Sequence, residues 1–261
     1  MSKAQDFITG LAARGQYHFT NAEMSKALGM SAAAVKMALL RLNKQRVVAS
    51  PARGFYVIVP PEYRRLGCLP AEQFIPTLME QHGLPYYAAL LSAAQFHGAA
   101  HHRPQEFQVA LARSRRPITC GSVRVAFMAR KRIAEVPVEF FNTPRGTIRV
   151  STPEATALDL VGYEHQVGGL DQVATILAEL AERIDPERLA QAARVAPTPW
   201  AQRLGYLLEL VGAADKVGPL RDHVRADATV PTPLLHGSAY ANAPQRKEWR
   251  LYLNADVEIE T

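Results

Sequence analysis

At 261 residues the chain is long enough to bury a substantial core and, at ordinary domain sizes, to form two domains. A hydrophobic content of 48% with 21% charged residues excludes wholesale disorder and collagen-like architecture, and no apolar run approaches the roughly 20 residues needed to cross a bilayer. The net charge of +6 is concentrated: residues 1–65 carry ten Lys/Arg against Asp6, Glu23 and Glu62, a balance of +7, so the remaining 196 residues total −1.

The opening MSKAQDFITGLAARG has helical spacing at Ala4, Phe7, Ile8 and Leu11 and a stop at Gly15, which predicts a helix from about Ser2 to Arg14. It lacks the apolar block of a secretory signal, and Cys68 and Cys120 are read as two buried thiols, so a reducing, cytoplasmic setting is expected. Thr20 or Asn21 caps a short second helix, with Glu23 three residues after Thr20 completing a capping box and Gly29 ending it. Ser31 caps a third helix whose Val35, Ala38, Leu39 and Leu42 form one inward stripe. Two amphipathic helices joined by so short a glycine-containing turn match a helix-turn-helix, whose second helix enters the major groove of DNA.

The next segment, RVVASPARGFYVIV at residues 46–59, predicts two strands joined by a Ser-Pro-Ala-Arg-Gly connection, the wing of a winged helix, with Arg53 at its tip. On the third helix Ser31, Ala32, Ala33, Lys36, Met37 and Arg41 fall largely off the core stripe and are candidates for groove contact, while Lys44, Arg46 and Arg53 suit phosphates. A basic module on a nearly neutral body is the electrostatic footprint of a nucleic-acid reader, because cations that neutralise phosphates release condensed counterions. A solvated basic surface on a small helical interaction module is the competing reading.

Pro60, Pro61 and the cluster Glu62 to Arg65 read as a hinge, dividing the chain into residues 1–62 and 66–261. Two helices are predicted first, in PAEQFIPTLMEQHG and PYYAALLSAAQFHGA. Short β-prone runs follow at Phe107–Leu111, Ile118–Cys120, Val123–Phe127, Val136–Phe141 and Thr147–Val150, implying an antiparallel or mixed sheet. Ser151 to Glu154 then start a helix, with further helices expected over Leu170–Ile184, Pro186–Val195 and Trp200–Val211. A loop rich in Pro, Gly and Ala leads to a return strand at Trp249–Leu253 and an acidic end. The whole is an α+β chain: a winged helix-turn-helix, then a larger mixed domain with a helical back half.

Chemistry is sparse in this larger part. His97, His101 and His102 in HGAAHH could share a metal only on a continuous helix, which Gly98 and Pro104 argue against. Asp256, Glu258 and Glu260 would share one face of a strand, but a solvated tail is the simpler reading. No Gly-rich phosphate loop, Gly-x-Ser-x-Gly elbow or His-Glu-x-x-His signature occurs, so no enzyme activity, metal or cofactor is expected.

The chain resembles the AbiEi family of bacterial antitoxins from abortive-infection toxin-antitoxin systems. The amino-terminal pattern carries the resemblance together with PYYAALLSAAQFHGAAHHRPQEFQVAL at 85–111, IRVSTPEATALDLV at 148–161, PWAQRLGYLLELVG at 199–212 and WRLYLNADVE at 249–258. It implies a repressor of its own operon, encoded beside a nucleotidyltransferase-like toxin, with the winged helix on operator repeats and the larger domain opposing toxicity in phage defence. Antitoxicity in this family is described as type IV, in which stable toxin binding is not required. The expected partners are therefore double-stranded operator DNA and a cognate toxin, with no membrane. A one-component regulator whose larger domain binds a small molecule is the alternative, and a tethered nuclease using the terminal carboxylates is a third.

Overall fold

The computed structural model describes residues 2–99 and 104–259. Side-chain caps begin each of the first three helices. Ser2 Oγ accepts from the Gln5 N–H at 3.3 Å to open α1 (Lys3–Ala13). Thr20 and Glu23 form a reciprocal capping box at the start of α2 (Asn21–Leu28), with 2.6 Å from the Thr20 N–H to Glu23 and 3.2 Å from the Glu23 N–H to Thr20. Gly29 ends α2 at φ 61°, a left-handed conformation that costs glycine least, and Ser31 Oγ accepts from the Ala34 N–H to open α3 (Ala32–Lys44).

A strand the sequence pattern did not predict, β1 (His18–Thr20), lies between α1 and α2 and pairs antiparallel with β3 (Phe55–Ile58). On the other side of β3 runs β2 (Val48–Ala52), giving the order β1-β3-β2. The expected five-residue connection between β2 and β3 is shorter than the sequence suggested. Pro51 and Ala52 belong to β2, past an irregularity between Ala49 and Ala52, and the turn is Arg53-Gly54 alone. Proline is tolerated there because β2 is the edge strand of this sheet and the register shifts beside it. Ile8, Leu11, Phe19, Met24, Val35, Leu39, Leu42, Val48 and Ile58 close one apolar core beneath the three helices and three strands.

The chain divides into two compact units, and the first extends beyond this module, taking in residues 1–86, 105–130 and 140–149. It contains α4 (Ala71–Gln81), β5 (Phe107–Leu111), β6 (Ile118–Cys120) and β7 (Val123–Ala129). β5 and β7 are parallel, Phe107 opposite Val125, while β6 runs antiparallel to β7, so this sheet is mixed. Cys68 and Cys120 are both buried and unbridged. The neighbouring Cys120 and burial push the Cys68 thiol pKa up, keeping it protonated.

The second unit holds residues 87–104, 131–139 and 150–261. The segment predicted as a single helix from Pro85 begins as a strand instead, β4 (Tyr86–Ala88), followed by α5 (Leu90–Phe96). All three β4 residues are buried, so the run carries no alternation to distinguish it from a buried helix. The chain crosses between the units inside β4, β8 (Val138–Thr143) and β9 (Gly146–Ser151). Thr152 then caps α6 (Pro153–Gly162), with Pro153 in the first turn as expected. Helices α7 (Leu170–Leu180), α8 (Pro186–Ala193), α9 (Thr198–Leu210) and α10 (Gly218–Asp227) follow. α7 stops four residues before the predicted end, and α10 occupies a stretch expected to be loop. The predicted strand at Trp249–Leu253 contracts to β12 (Leu251–Tyr252), after a 3-10 turn over Lys247–Trp249; it sits between β10 (Thr232–Pro233) and β11 (Gln245–Arg246). Among the described residues the fold is mixed α/β, with ten α-helices and three sheets, the helices dominating the back half.

Every residue of α6 from Pro153 to Val161 is buried, which makes it the central helix of the second unit. Both tryptophans of the chain are seated against helical glycines around it. A β-carbon at Gly162 would meet the Trp200 ring at 2.2 Å, and one at Gly205 would meet the Trp249 ring at 2.1 Å. In both places the missing side chain is what lets an indole lie on helix backbone.

Candidate nucleic-acid interface

Helix α3 has two opposed faces. Val35, Ala38, Leu39 and Leu42 are buried, whereas Ala33, Lys36, Met37, Leu40, Arg41 and Lys44 are exposed and recur at steps of three and four, so they form one outward stripe. All nine residues singled out in the sequence are exposed: Ser31, Ala32, Ala33, Lys36, Met37, Arg41, Lys44, Arg46 and Arg53. They are not equivalent. The Ser31 hydroxyl is engaged as the α3 cap, and the Arg41 side chain folds along its own helix, Nε 3.4 Å from the Met37 carbonyl. Arg46 follows α3 in a left-handed conformation, φ 55°, and Arg53 stands at the hairpin tip beside Gly54 at φ 78°.

Among the described residues, Lys36, Arg41, Lys44, Arg46 and Arg53 form no ion pair. Five exposed cations without carboxylate partners leave a surface whose favourable complement is polyanionic. The sequence reading overlooked Leu40, 55% exposed on the same stripe; its spacing from Ala33 and Met37 is the signal that could have found it. It also overlooked Arg145, in the turn between β8 and β9. Its guanidinium lies 3.3 Å from the Tyr17 ring centroid, donates to Gln73 Oε1 at 2.8 Å and approaches Glu62 at 3.8 Å, fastening the three-helix module to the rest of the first unit.

The other sequence candidates do not assemble into a reactive centre. Among the described residues there is no group of three His, Cys, Asp or Glu able to hold a metal. Asp256 and Glu258 lie in irregular chain rather than on a strand, and His101, His102 and Glu260 lie outside the described residues. His97 is buried with Nε2 2.7 Å from the Ser151 carbonyl oxygen, and burial lowers its pKa, so the neutral ring donates its N–H to that carbonyl. Around it Ser151 Oγ and Thr156 Oγ1 share a 2.7 Å hydrogen bond, Arg183 donates to the His97 carbonyl at 2.8 Å, and Tyr87 donates to the buried Asp159 at 2.7 Å.

The buried histidine has a consequence for acid sensitivity. With a folded-state pKa below the unfolded value, protonation favours the unfolded chain, so the His97 contribution is intact above about pH 6.5 and declines as pH falls from there towards the folded pKa. Urea unfolding of wild type and His97→Gln at pH 7.5 and 5.5 is expected to show a smaller pH-dependent loss in the variant. Burial lowers His18 in the same direction, so part of the decline should persist.

The segment built on these contacts is where comparison with known proteins gives a match. Residues 87–210 fit the model of the AbiEi antitoxin C-terminal domain. The chain carries an AbiEi antitoxin domain. The match begins where the second unit begins and takes in β5, β6 and β7 of the first. The AbiEi domain points to an antitoxin or regulator of a toxin-antitoxin system, and to a regulator rather than a catalyst. In fold, the chain is similar to a crystal structure of the RV2827C protein from Mycobacterium tuberculosis, with a TM-score of 0.66 and 17% identity over 95% of this chain and 90% of that one. No curated protein matches the sequence. No helix among the described residues is long and apolar enough to cross a membrane.

Proposed function

We propose that this AbiEi protein is an antitoxin that represses its own operon, with residues 1–62 acting as a winged helix-turn-helix on operator DNA and residues 66–261 opposing a nucleotidyltransferase-like toxin. The observation that carries the reading is the outward stripe of α3, an unpaired cationic face opposite a buried apolar one, flanked by Arg53 at the hairpin tip. A helix of this kind, preceded by a short helix and a glycine turn, is the element that enters a major groove in helix-turn-helix proteins. In this reading Ser31, Ala32, Ala33, Lys36, Met37 and Arg41 face base edges, and Lys44, Arg46 and Arg53 hold phosphates. The AbiEi domain supports the antitoxin half of the reading.

Binding of the full chain to its own upstream DNA, compared with scrambled DNA of equal length over a salt series, tests this. Tighter binding to the upstream fragment is expected, with affinity falling linearly in log-log coordinates against salt. Equal or absent binding overturns it. The triple variant Lys44→Ala/Arg46→Ala/Arg53→Ala is expected to lower affinity for both DNAs and flatten the slope by about 2–3, each lost phosphate contact contributing roughly 0.9. An unchanged slope would remove these three cations from the phosphate backbone.

A further inference from the structure

The centre of the α3 stripe is apolar. At about 100° per residue, Ala33, Met37 and Leu40 fall within an arc of about 60°, with Lys36 on one side of it and Arg41 on the other. Met37 is 57% exposed and Leu40 55%, among the most exposed large apolar side chains of the described residues, and they neighbour each other on one helix. Covering two adjacent apolar side chains with an apolar partner gains free energy in proportion to the area removed from water. The nearby cations, Lys36 and Arg41 at its edges and Lys44 one turn along, say what kind of surface that is: a polyanion carrying apolar groups at its centre. DNA meets that description in its major groove, where the thymine 5-methyl is the apolar group that base edges present.

We propose that Ala33, Met37 and Leu40 read thymine 5-methyl groups in the major groove, so that the DNA selected by this face carries a run of closely spaced thymines. The inference rests on the proposed DNA reading and extends it to base identity. Ala33 to Leu40 spans about 10 Å along the helix axis, close to three base steps of about 3.4 Å. The three side chains therefore cover a run of about four base pairs. The apolar centre discriminates T·A from C·G pairs, with Lys36 and Arg41 beside it facing base edges and Lys44, one turn farther along, placed for a phosphate.

The probe is the chain's own upstream fragment, made once with thymine and once with uracil, which keeps the Watson–Crick hydrogen bonds and removes only the 5-methyl. Each methyl desolvated against apolar side chains is worth about fourfold in affinity, so wild type is expected to bind the thymine DNA about 10- to 20-fold more tightly for two methyls. Met37→Ala/Leu40→Ala replaces exposed side chains and is expected to fold, to bind the thymine DNA more weakly than wild type does, and to lose the thymine-over-uracil preference. Equal wild-type affinity for both DNAs overturns the inference and leaves the DNA reading standing. A uracil penalty as large in the variant as in wild type overturns it as well, since methyl sensitivity would then lie elsewhere. Absence of upstream-specific binding on either DNA overturns both. A variant with unchanged DNA affinity but a smaller oligomer by size-exclusion chromatography assigns the patch to a second copy of the chain and overturns the inference.

Discussion

Gly205→Ala is expected to destabilise the protein by roughly 1–3 kcal/mol, the usual cost of forcing an extra methyl into a packed core. Helix propensity alone predicts the opposite sign, because alanine is favoured over glycine in a helix interior by ~1 kcal/mol. The contact decides which effect wins. A β-carbon at 205 would lie 2.1 Å from Cζ3 and 2.2 Å from Cη2 of Trp249, and that ring is fully buried with its backbone anchored between α9 and β12. Removing the ring should therefore reverse the sign: in a Trp249→Ala background, itself about 3–5 kcal/mol less stable, Gly205→Ala should stabilise by up to ~1 kcal/mol. Urea denaturation of the four chains measures the cycle. Equal destabilisation by Gly205→Ala in both backgrounds would place its cost somewhere other than the indole. Gly162→Ala provides an internal comparison, since Trp200 is only partly buried whereas Trp249 is fully buried.

These two glycine–tryptophan contacts join segments that lie far apart in the chain. The segment at 148–161 runs into Gly162, that at 199–212 contains both Trp200 and Gly205, and the carboxy-terminal one begins at Trp249. Segments separated by dozens of residues meet in the second unit, where a side chain in one requires its absence in another.

How legible an element was depended on whether its signal is local. The first three helices were readable to within a residue or two because their information sits at their ends, in Ser2, Thr20 with Glu23, Gly29 and Ser31, and in stripes of period 3.6. The strand Phe107–Leu111 was equally plain, a β-branched and aromatic run between turn residues. β4 was hidden because burial on both faces erases alternation, and β1 because three residues are too few to show a period. α10 was missed because it opens with Gly-Pro and buries only Leu220 and Val224, a single i, i+4 pair. In the candidate interface, charge and the outward face of α3 could be read from spacing. Arg145 could not, since its partners Tyr17, Glu62 and Gln73 are 72 or more residues away and come together only in the fold.

Lys36→Ala and Arg41→Ala should each weaken upstream-DNA binding by about 5- to 150-fold, the equivalent of losing a base-edge hydrogen-bonding pair worth about 1–3 kcal/mol, while affinity for scrambled DNA falls far less. The distinction follows from geometry. Both residues lie at the edges of the outward stripe, beside the apolar centre and within reach of base edges if α3 lies in a groove, whereas Arg46 and Arg53 stand beyond the helix and at the hairpin tip. A cation that meets only phosphate gives the same energy on any sequence, so its loss should lower both affinities in parallel and flatten the salt slope. Arg41 requires one adjustment, releasing the Met37 carbonyl before its guanidinium turns outward; that bond is long and exposed, so the change is small. Fluorescence anisotropy on upstream and scrambled duplexes at two salt concentrations separates the outcomes. Loss of specificity with the slope retained assigns Lys36 and Arg41 to bases, and parallel loss on both duplexes moves them to the backbone, leaving the apolar centre of the stripe as the part of α3 that distinguishes one sequence from another.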